Sequence, residues 1–406
     1  MSKRTLPSPA AGGPVRVLAS AAMSAALVVT LGAAGAPAAG AQARADAVTN
    51  FKFALNAVSV LSSSDAWAVG DSATVLHWNG TGWAPVTIPG LPAAVSLAAV
   101  DALSSADVWA AGVADAGTPF SPETTLTVHW NGTAWKRVPS PGSFSSPLFP
   151  AVTGLSMDSA TDGWAVGHVV DDKTGATTSL ALHWNGTRWQ RVSTGPGLSF
   201  SGVASFSPSN AAAVGTHQTS EFMFTPVAFG WNGTRWKVTA ALPAPQGVPA
   251  SQLAGPSSLS APSATDMQTV GGQFTSTGVK NLAWRWNGTR WTVMSTSLVT
   301  ADGSGLTGVT AISPANVWAV GFTNTAGGNG NDQAPVSVHR NGTRWTRVTT
   351  PDPIGPNGGS TVLNAVSNAG PGNVWAVGHY ASNEPGGLGI PHTLILRWNG
   401  TRWVRS

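Results

Sequence analysis

The sequence predicts an all-β fold, a seven-bladed β-propeller with four antiparallel strands per blade, on three observations. A hairpin motif, Trp-Asn-Gly-Thr-x-Trp, recurs at Trp78–Trp83, Trp130–Trp135, Trp184–Trp189, Trp231–Trp236, Trp286–Trp291 and Trp398–Trp403, with a seventh copy at Arg340–Trp345. A second motif, Asp/Asn-x-Trp-Ala-Val-Gly, stands upstream of each hairpin: Asp65–Gly70, Asp107–Gly112, Asp162–Gly167, Asn210–Gly215, Asp266–Gly271, Asn316–Gly321 and Asn373–Gly378. An apolar anchor (Val58, Val100, Leu155, Val203, Leu259, Val309, Val366) lies seven residues before each of these. A repeat of 40–55 residues that reads as short strands and turns is the signature of propeller blades.

Each element follows from its residues. The small apolar run around the anchor suits a crowded innermost strand, a, and Val-Trp-Ala-Val reads as strand b. Strand c ends in His/Arg-Trp, and strand d starts at the last Trp. Lys136, Arg137, Arg191, Lys237 and Arg347 suit an exposed outer edge. Asn-Gly between apolar residues predicts a two-residue type I′ hairpin, with the two Trp of the motif as diagonal neighbours. The motif Trp are replaced by Ala212 and Gln268 in two b strands, and Trp284 alone among the 19 tryptophans falls outside the three repeated positions. The blades are expected at about 54–90, 91–140, 150–194, 200–240, 253–297, 304–350 and 361–406. Closure is expected either through Val48 to Phe53 as an added edge strand or on Trp packing alone.

Loop lengths carry the functional reading. The a–b and c–d connections are constant, whereas b–c runs from 6 residues (71–76) to 18 (379–396). In an antiparallel meander the b–c and d–a loops share one face, so the variation is confined to that face, where repeat proteins commonly bind.

Residues 1–43 read as a secretory signal peptide. Lys3, Arg4 and Arg16 precede an Ala/Leu/Val-rich run, and Ala41-Gln42-Ala43 is the cleavage motif; an uncleaved anchor is the alternative. The remainder, 44–406, is expected to be secreted, extracellular and monomeric, with no further membrane span. Without the signal, 18 basic residues face 17 acidic ones, so a nucleic-acid partner has little electrostatic support. The absence of cysteine excludes disulfides and thiolate metal sites.

Candidate ligand-binding residues are those starting or lying in the variable loops: His168, Asp171, Asp172, His217, His379, Tyr380 and Glu384. The strand c histidines His77, His129, His183 and His339 are replaced by Gly230, Arg285 and Arg397 elsewhere, and arginine is no metal ligand. No metal site, cofactor or catalytic set is assigned. The pair Asn331-Asp332 lacks any calcium-loop spacing. The Trp sets are read as core, with the hairpin pair as the place for a sugar-stacking platform, and Asn-Gly-Thr as turn chemistry rather than glycosylation.

The paired motifs resemble the tryptophan-rich repeats of exported actinobacterial propellers, over residues from about 55 to 406, and are kelch- and Asp-box-like in architecture only. The resemblance implies the fold and transfers no catalytic residue. The expected function is a secreted binding module for a glycan or cell-envelope polymer, with an extracellular protein-interaction scaffold as the alternative and a glycosidase or lyase third.

Overall fold

The computed structural model describes residues 51–406 except 93, 116–122, 145–147, 221–222, 277, 295–302, 326–331, 356–357 and 385–386. The signal peptide expected at 1–43 and the segment 48–50 lie outside the described residues. The chain is an all-β propeller in which each sequence repeat folds as a four-stranded antiparallel meander.

The first repeat shows the plan: inner strand Leu55–Ser62, second strand Asp65–Gly70, third strand Val75–Trp78 and outer strand Trp83–Pro85. The later inner strands are Ala94–Ser104, Leu148–Ser159, Leu198–Ser207, Leu253–Ser263, Ser304–Ser313 and Gly359–Asn368. Each packs on the inner strand of the next repeat, and Gly359–Asn368 packs back on Leu55–Ser62, so the sheets surround an axis.

The strands do not separate into seven sheets as expected. They form four four-stranded sheets, a five-stranded sheet and a nine-stranded one. The five-stranded sheet gains Ser143–Phe144 beside the third strand Glu123–Trp130. The nine-stranded sheet joins the last two repeats through a single parallel pair, Gln333 with Ser360, and adds Gly387–Leu388.

The hairpin is a second correction. Trp78 pairs directly with Trp83, so the loop has four residues, Asn79 to Gly82, and only Gly80 takes positive φ, at 94°. The reason is the Asn79 side chain. Its Oδ1 accepts from Thr81 N (3.0 Å), Thr81 Oγ1 (2.8 Å) and Gly82 N (3.1 Å), a side-chain turn that replaces the type I′ backbone. The same three bonds recur at Asn131, Asn185, Asn232, Asn287 and Asn399. In the Arg340 copy Asn341 pairs with Arg344 instead, leaving a two-residue loop.

The tryptophans explain how neighbouring sheets join. Each second-strand Trp inserts between the hairpin pair of the next repeat. Trp67 lies 5.2 Å from Trp130 and 5.5 Å from Trp135, and Trp164 lies 4.8 Å from Trp231 and 5.0 Å from Trp236. Trp375 completes the circuit against Trp78 (5.0 Å) and Trp83 (5.3 Å). Closure therefore uses the same indole insertion as these other joints. Phe51 and Phe53 add only two bonds, their carbonyls accepting from Thr393 N and Oγ1, both at 2.9 Å. Where the repeat loses its Trp to Ala212, Trp284 fills the space. It occupies the position held by Leu76 and Leu182 elsewhere and shares a buried cluster with Ala212 and Val214.

The hairpin Trp Nε1 donates to the carbonyl of the constant a–b turn: Trp78 to Ser63, Trp130 to Ser105, Trp184 to Ala160, Trp231 to Pro208 and Trp286 to Ala264, all at 3.0–3.1 Å. Arg340, standing where these Trp stand, donates its guanidinium to the equivalent Pro314 carbonyl, so the Trp-to-Arg change keeps the donor. These bonds also fix the two constant turns on one face of each sheet.

The inner strands present free edges to the axis, and side chains of the preceding repeat satisfy them. Ser59 Oγ accepts from Ala102 N (3.1 Å), Ser156 from Ser205 N (3.0 Å), Ser260 from Ala311 N (2.9 Å) and Ser367 from Val60 N (3.2 Å). Asp101 serves the same purpose for Met157 N at 2.7 Å. A second belt starts from β-bulge residues: Thr153 donates to Phe200 O (2.9 Å), Thr307 to Leu363 O (2.6 Å), Asn364 to Leu55 O (2.8 Å) and Asn56 to Leu97 O (3.1 Å). Bulges re-aim a side chain out of the pleat, and here the new direction is the neighbouring sheet. The motif Gly is obligatory for a related reason. At Gly70, Gly167 and Gly321 a Cβ would collide with the inner-strand carbonyl of Ala54, Ala151 or Gly305.

Candidate functional site

Two faces of the ring differ in what they offer. The constant face carries partly buried polar units beneath the hairpins. His77 Nε2 donates to Asp65 Oδ1 at 2.9 Å and stacks on Trp67 at 4.2 Å; His129 with Asp107 and His183 with Asp162 repeat this, and Asn316 takes the acceptor role for His339. The four-residue hairpin loop places His77 opposite Ala84 rather than opposite the x residue as the sequence suggested. In the fifth repeat Arg285 Nε replaces the imidazole on Asp266 at 3.0 Å. These groups hold sheet and turn together, which accounts for the exchange of His and Arg.

The same face holds two carboxyls displaced from their ordinary range. Burial pushes Asp101 up to about 6, against the opposing pull of the Met157 N–H. Asp158 is also raised to about 6, by desolvation and by its hydrogen bond to Asp162. Ser205 Oγ of the next repeat donates to Asp158 Oδ1 at 3.0 Å and lies 3.4 Å from Asp162 Oδ2.

On the variable face the candidate residues are not gathered into one place. His168 lies on second strand Asp162–Asp171, paired with Ala151 and Ser179; burial lowers its pKa, and its Nδ1 is buried with no hydrogen-bond partner among the described residues. Asp171 is a turn residue, its Oδ1 accepting from Lys173 N (2.9 Å) and Thr174 N (3.2 Å); Asp172 beside it is exposed. His217 lies on Asn210–Ser220, opposite Leu198 and Thr225. Tyr380 stacks on His392 at 5.2 Å and its hydroxyl accepts from Arg405 Nη2 at 2.9 Å. Glu384 ends the same strand, Val374–Glu384, opposite Gly387. Asp332 is buried and accepts from Asn383 Nδ2 at 2.6 Å; its expected companion Asn331 lies outside the described residues.

One candidate, His379, belongs to a larger polar group that sequence reasoning missed. Its Nδ1 lies 3.5 Å from Asn364 Nδ2, an N–H donor, so the neutral ring carries its proton on Nε2. In the first repeat Asp71 Oδ1 accepts from Asn56 Nδ2 at 2.9 Å and, across the joint to the second repeat, from Ser96 Oγ at 2.7 Å. Asp71 N in turn donates to Ala54 O at 3.1 Å, beside the Leu55 carbonyl held by Asn364. Burial lowers the His379 pKa, with the Asp71 charge opposing it. The signal that could have found this group is a column-by-column comparison. After the motif Gly stand Asp71, Val113, His168, Thr216, Gly272, Phe322 and His379, and the bulge column reads Asn56, Ala98, Thr153, Ser201, Thr307 and Asn364.

The indoles expected as a sugar platform are in the joints. Trp78, Trp83, Trp135, Trp184, Trp189, Trp231, Trp236, Trp291 and Trp403 are buried. The exposed aromatic surface of the variable ends is phenyl: Phe224 on Met223–Trp231, and Phe274, 52% exposed, on Asp266–Thr275. Among the described residues no group of three or more His, Asp or Glu is arranged to hold a metal, and no helix is long and apolar enough to cross a membrane.

Comparison with known proteins places the chain by architecture. No family model and no curated protein matches its sequence. Solved propellers match in fold. The structure of YCF48 bound to D1 peptide is similar with a TM-score of 0.50 at 12% identity, over 86% of this chain and 94% of that one. The polysaccharide lyase Uly1 is similar with a TM-score of 0.51 at 9% identity, over 85% and 90%. The six-bladed fucose-recognising Aleuria aurantia lectin reaches 0.45 at 14% identity, over 76% and 93%. At these identities the likeness is one of fold.

Proposed function

We propose that this chain is a seven-bladed, secreted binding module whose variable face receives a glycan or cell-envelope polymer. The blade count rests on the ring of inner strands, each packed on the next, with the nine-stranded sheet read as two blades sharing one bridge. Secretion, and kinship with exported actinobacterial tryptophan-rich propellers, rest on the sequence motifs. The observation that carries the function is the division of labour between faces. The indoles and the His–Asp units are committed to packing, whereas length variation and exposed phenyl rings collect at the variable ends, among uncharged residues such as Gln218, Thr219 and Gln273. Ring faces beside hydroxyl- and amide-bearing side chains suit sugars, which present apolar C–H faces and hydroxyl edges.

A second reading, a protein-interaction scaffold, is favoured by the exposed aliphatic groups Met223 and Ile390 on the same face. The fold serves both kinds of ligand: YCF48 is seen with a D1 peptide, and Uly1 is a polysaccharide lyase. Oligosaccharide-array and cell-wall retention assays on the full chain, with Phe224→Ala and Phe274→Ala, test the proposal. Retention lost in these variants supports it. Retention on no polysaccharide, with a protein recovered by cross-linking to the same face, replaces it with the scaffold reading.

A further inference from the structure

We propose that the hairpin rim of the constant face is a second binding surface, an arc of basic side chains over the second to seventh repeats that holds a flexible glycan polymer bearing carboxylate or phosphate groups. This surface lies apart from the variable face and goes beyond the function proposed for it.

The arc starts in the turns. The last residue of the Asn-Gly-Thr-x loop is Arg188, Arg235, Arg290 and Arg402 in four repeats, its N–H fixed on the Asn Oδ1 at 2.9–3.0 Å. Arg344 follows the same tripeptide in the sixth repeat. The turn itself does not ask for arginine, because Gly82 and Ala134 make the same bond at 3.1 and 3.0 Å. The outer strands add Lys136, Arg137, Arg191, Lys237 and Arg347. All ten side chains are exposed, and none is paired with a carboxylate among the described residues. No Asp or Glu stands in any of these hairpins or outer strands.

A surface that serves solubility alone mixes both signs, so bases with no acid among them make a field of one sign. The acids of the same face open the second strands instead. Asp65, Asp107, Asp162 and Asp266 are at most 21% exposed, and each already holds His77, His129, His183 or Arg285. The chain is nearly neutral beyond residue 43, yet its rim is basic.

Magnitude decides the kind of partner. One exposed ion pair contributes about 0–1 kcal/mol, so a free anion gains little at any single arginine. A polymer that engages several at once gains from each, and guanidinium groups suit carboxylate and phosphate oxygens. The charges stand on both turns and outer strands of sheets that surround an axis, so the partner must bend with them. A bilayer is flat and would meet the turns alone. A DNA duplex, stiff over about 50 nm, does not follow such a curve. The hairpin indoles are packed into the joints, which leaves single-stranded bases nothing to stack on. The first repeat has Gly82, Ala84 and Pro85 at the corresponding positions, so the arc has two ends, as a linear chain does.

The test compares the full chain with a variant combining Arg188→Ala, Arg235→Ala, Arg290→Ala, Arg344→Ala and Arg402→Ala, since Ala134 shows that the turn accepts alanine. Calorimetry against dextran phosphate, polygalacturonate and unmodified dextran gives the affinities, and thermal melting checks the fold. Each charge removed is expected to weaken polyanion binding about two- to fivefold, and the five together at least about thirtyfold, with melting unchanged and a flatter salt dependence. Lysine at the same five positions restores the charge and should recover affinity to within about fivefold of the parent. The better of the two polymers, each bound above dextran, names the anionic group held. Binding of neither polyanion, dextran bound as tightly as its phosphate, an alanine variant within about threefold of the parent, or lysine that recovers nothing overturns the arc. Tighter binding of a DNA duplex or of phosphatidylglycerol vesicles than of either polymer overturns the choice of partner. Polyanion binding lost in Phe224→Ala and Phe274→Ala but kept in the alanine variant moves the polymer to the variable face and overturns the arc as well.

Discussion

Removing the indole at the closing joint tests how the ring is held. Trp375 is fully buried, lies 5.0 and 5.3 Å from the rings of Trp78 and Trp83, donates Nε1 to Asn373 Oδ1 at 3.0 Å and sits under the Arg397 guanidinium at 5.1 Å. Trp→Ala in a close-packed core costs about 3–5 kcal/mol through lost transfer energy and the cavity left behind. The stranded Asn373 acceptor and the lost aromatic pairs place Trp375→Ala at the upper end, about 4–5 kcal/mol. Trp164→Ala makes the same kind of hole between repeats that the chain joins directly, so a similar loss of global stability is expected there. The two differ in where the structure opens. With Trp375 gone, the joint keeps the Phe51 and Phe53 bonds, the inner-strand contacts of Val60 and Asn364, the Arg397 guanidinium over Trp78 and the packing of Val377 and Ile395 in the cluster of Leu55 and Leu76, but loses the inserted indole. Amide exchange should then rise selectively in Leu55–Ser62 and Gly359–Asn368. Guanidinium unfolding gives the energy and exchange mass spectrometry the location. A loss below about 1 kcal/mol, or exchange spread evenly around the ring, would refute indole insertion as the closing device.

Two further outcomes follow from the packing and the buried acids. Ala212→Trp alone should clash with Trp284 and destabilise by about 1–3 kcal/mol, while adding Trp284→Leu restores the common pattern and recovers most of it; a double-mutant cycle in urea measures the coupling, and additive losses would show that the two positions do not share space. Asp101 and Asp158 have folded pKa values of about 6, above the unfolded carboxyl, so the folded state holds their protons more tightly. Their contribution is full below about pH 4 and is lost as pH rises through about 6. Unfolding midpoints should fall over that window, and Asp101→Asn, which keeps an acceptor for Met157 N, should flatten part of the fall; an unchanged profile in the variant would remove Asp101 as the cause.

Much of the architecture was legible because it is written several times. The four-strand unit, the inner position of the small residues and the shared face of the constant turns follow from motif spacing alone. The loop type did not. Asn-Gly favours a type I′ turn when only backbone preference is considered, but an Asn side chain that captures three donors, as Asn79 does, stabilises a four-residue loop and moves each cross-strand partner by two residues. The division into sheets was also hidden, since Gln333 and Ser360 belong to elements with no pairing signal between them. At the candidate site, His379 was visible as a histidine after the motif Gly. Asp71, Asn56 and Asn364 were not, because residue type alone gave no reason to join positions 56 and 364. Tyr380 looked free in a loop, whereas the strand continues through it and Arg405 takes its hydroxyl.

The belt of polar side chains around the axis is interrupted in the fourth repeat. Where Ser59, Ser156, Ser260 and Ser367 each reach forward to a neighbour, the fourth repeat offers Ala204, and it is also the repeat that gave up its tryptophan to Ala212. Gly202 brings the two backbones there so close that an added methyl would press on Leu259 N at 2.8 Å. That seam is thus held by shape and by one borrowed indole, with no clasp from Ala204, and it is the point at which the circle would first breathe.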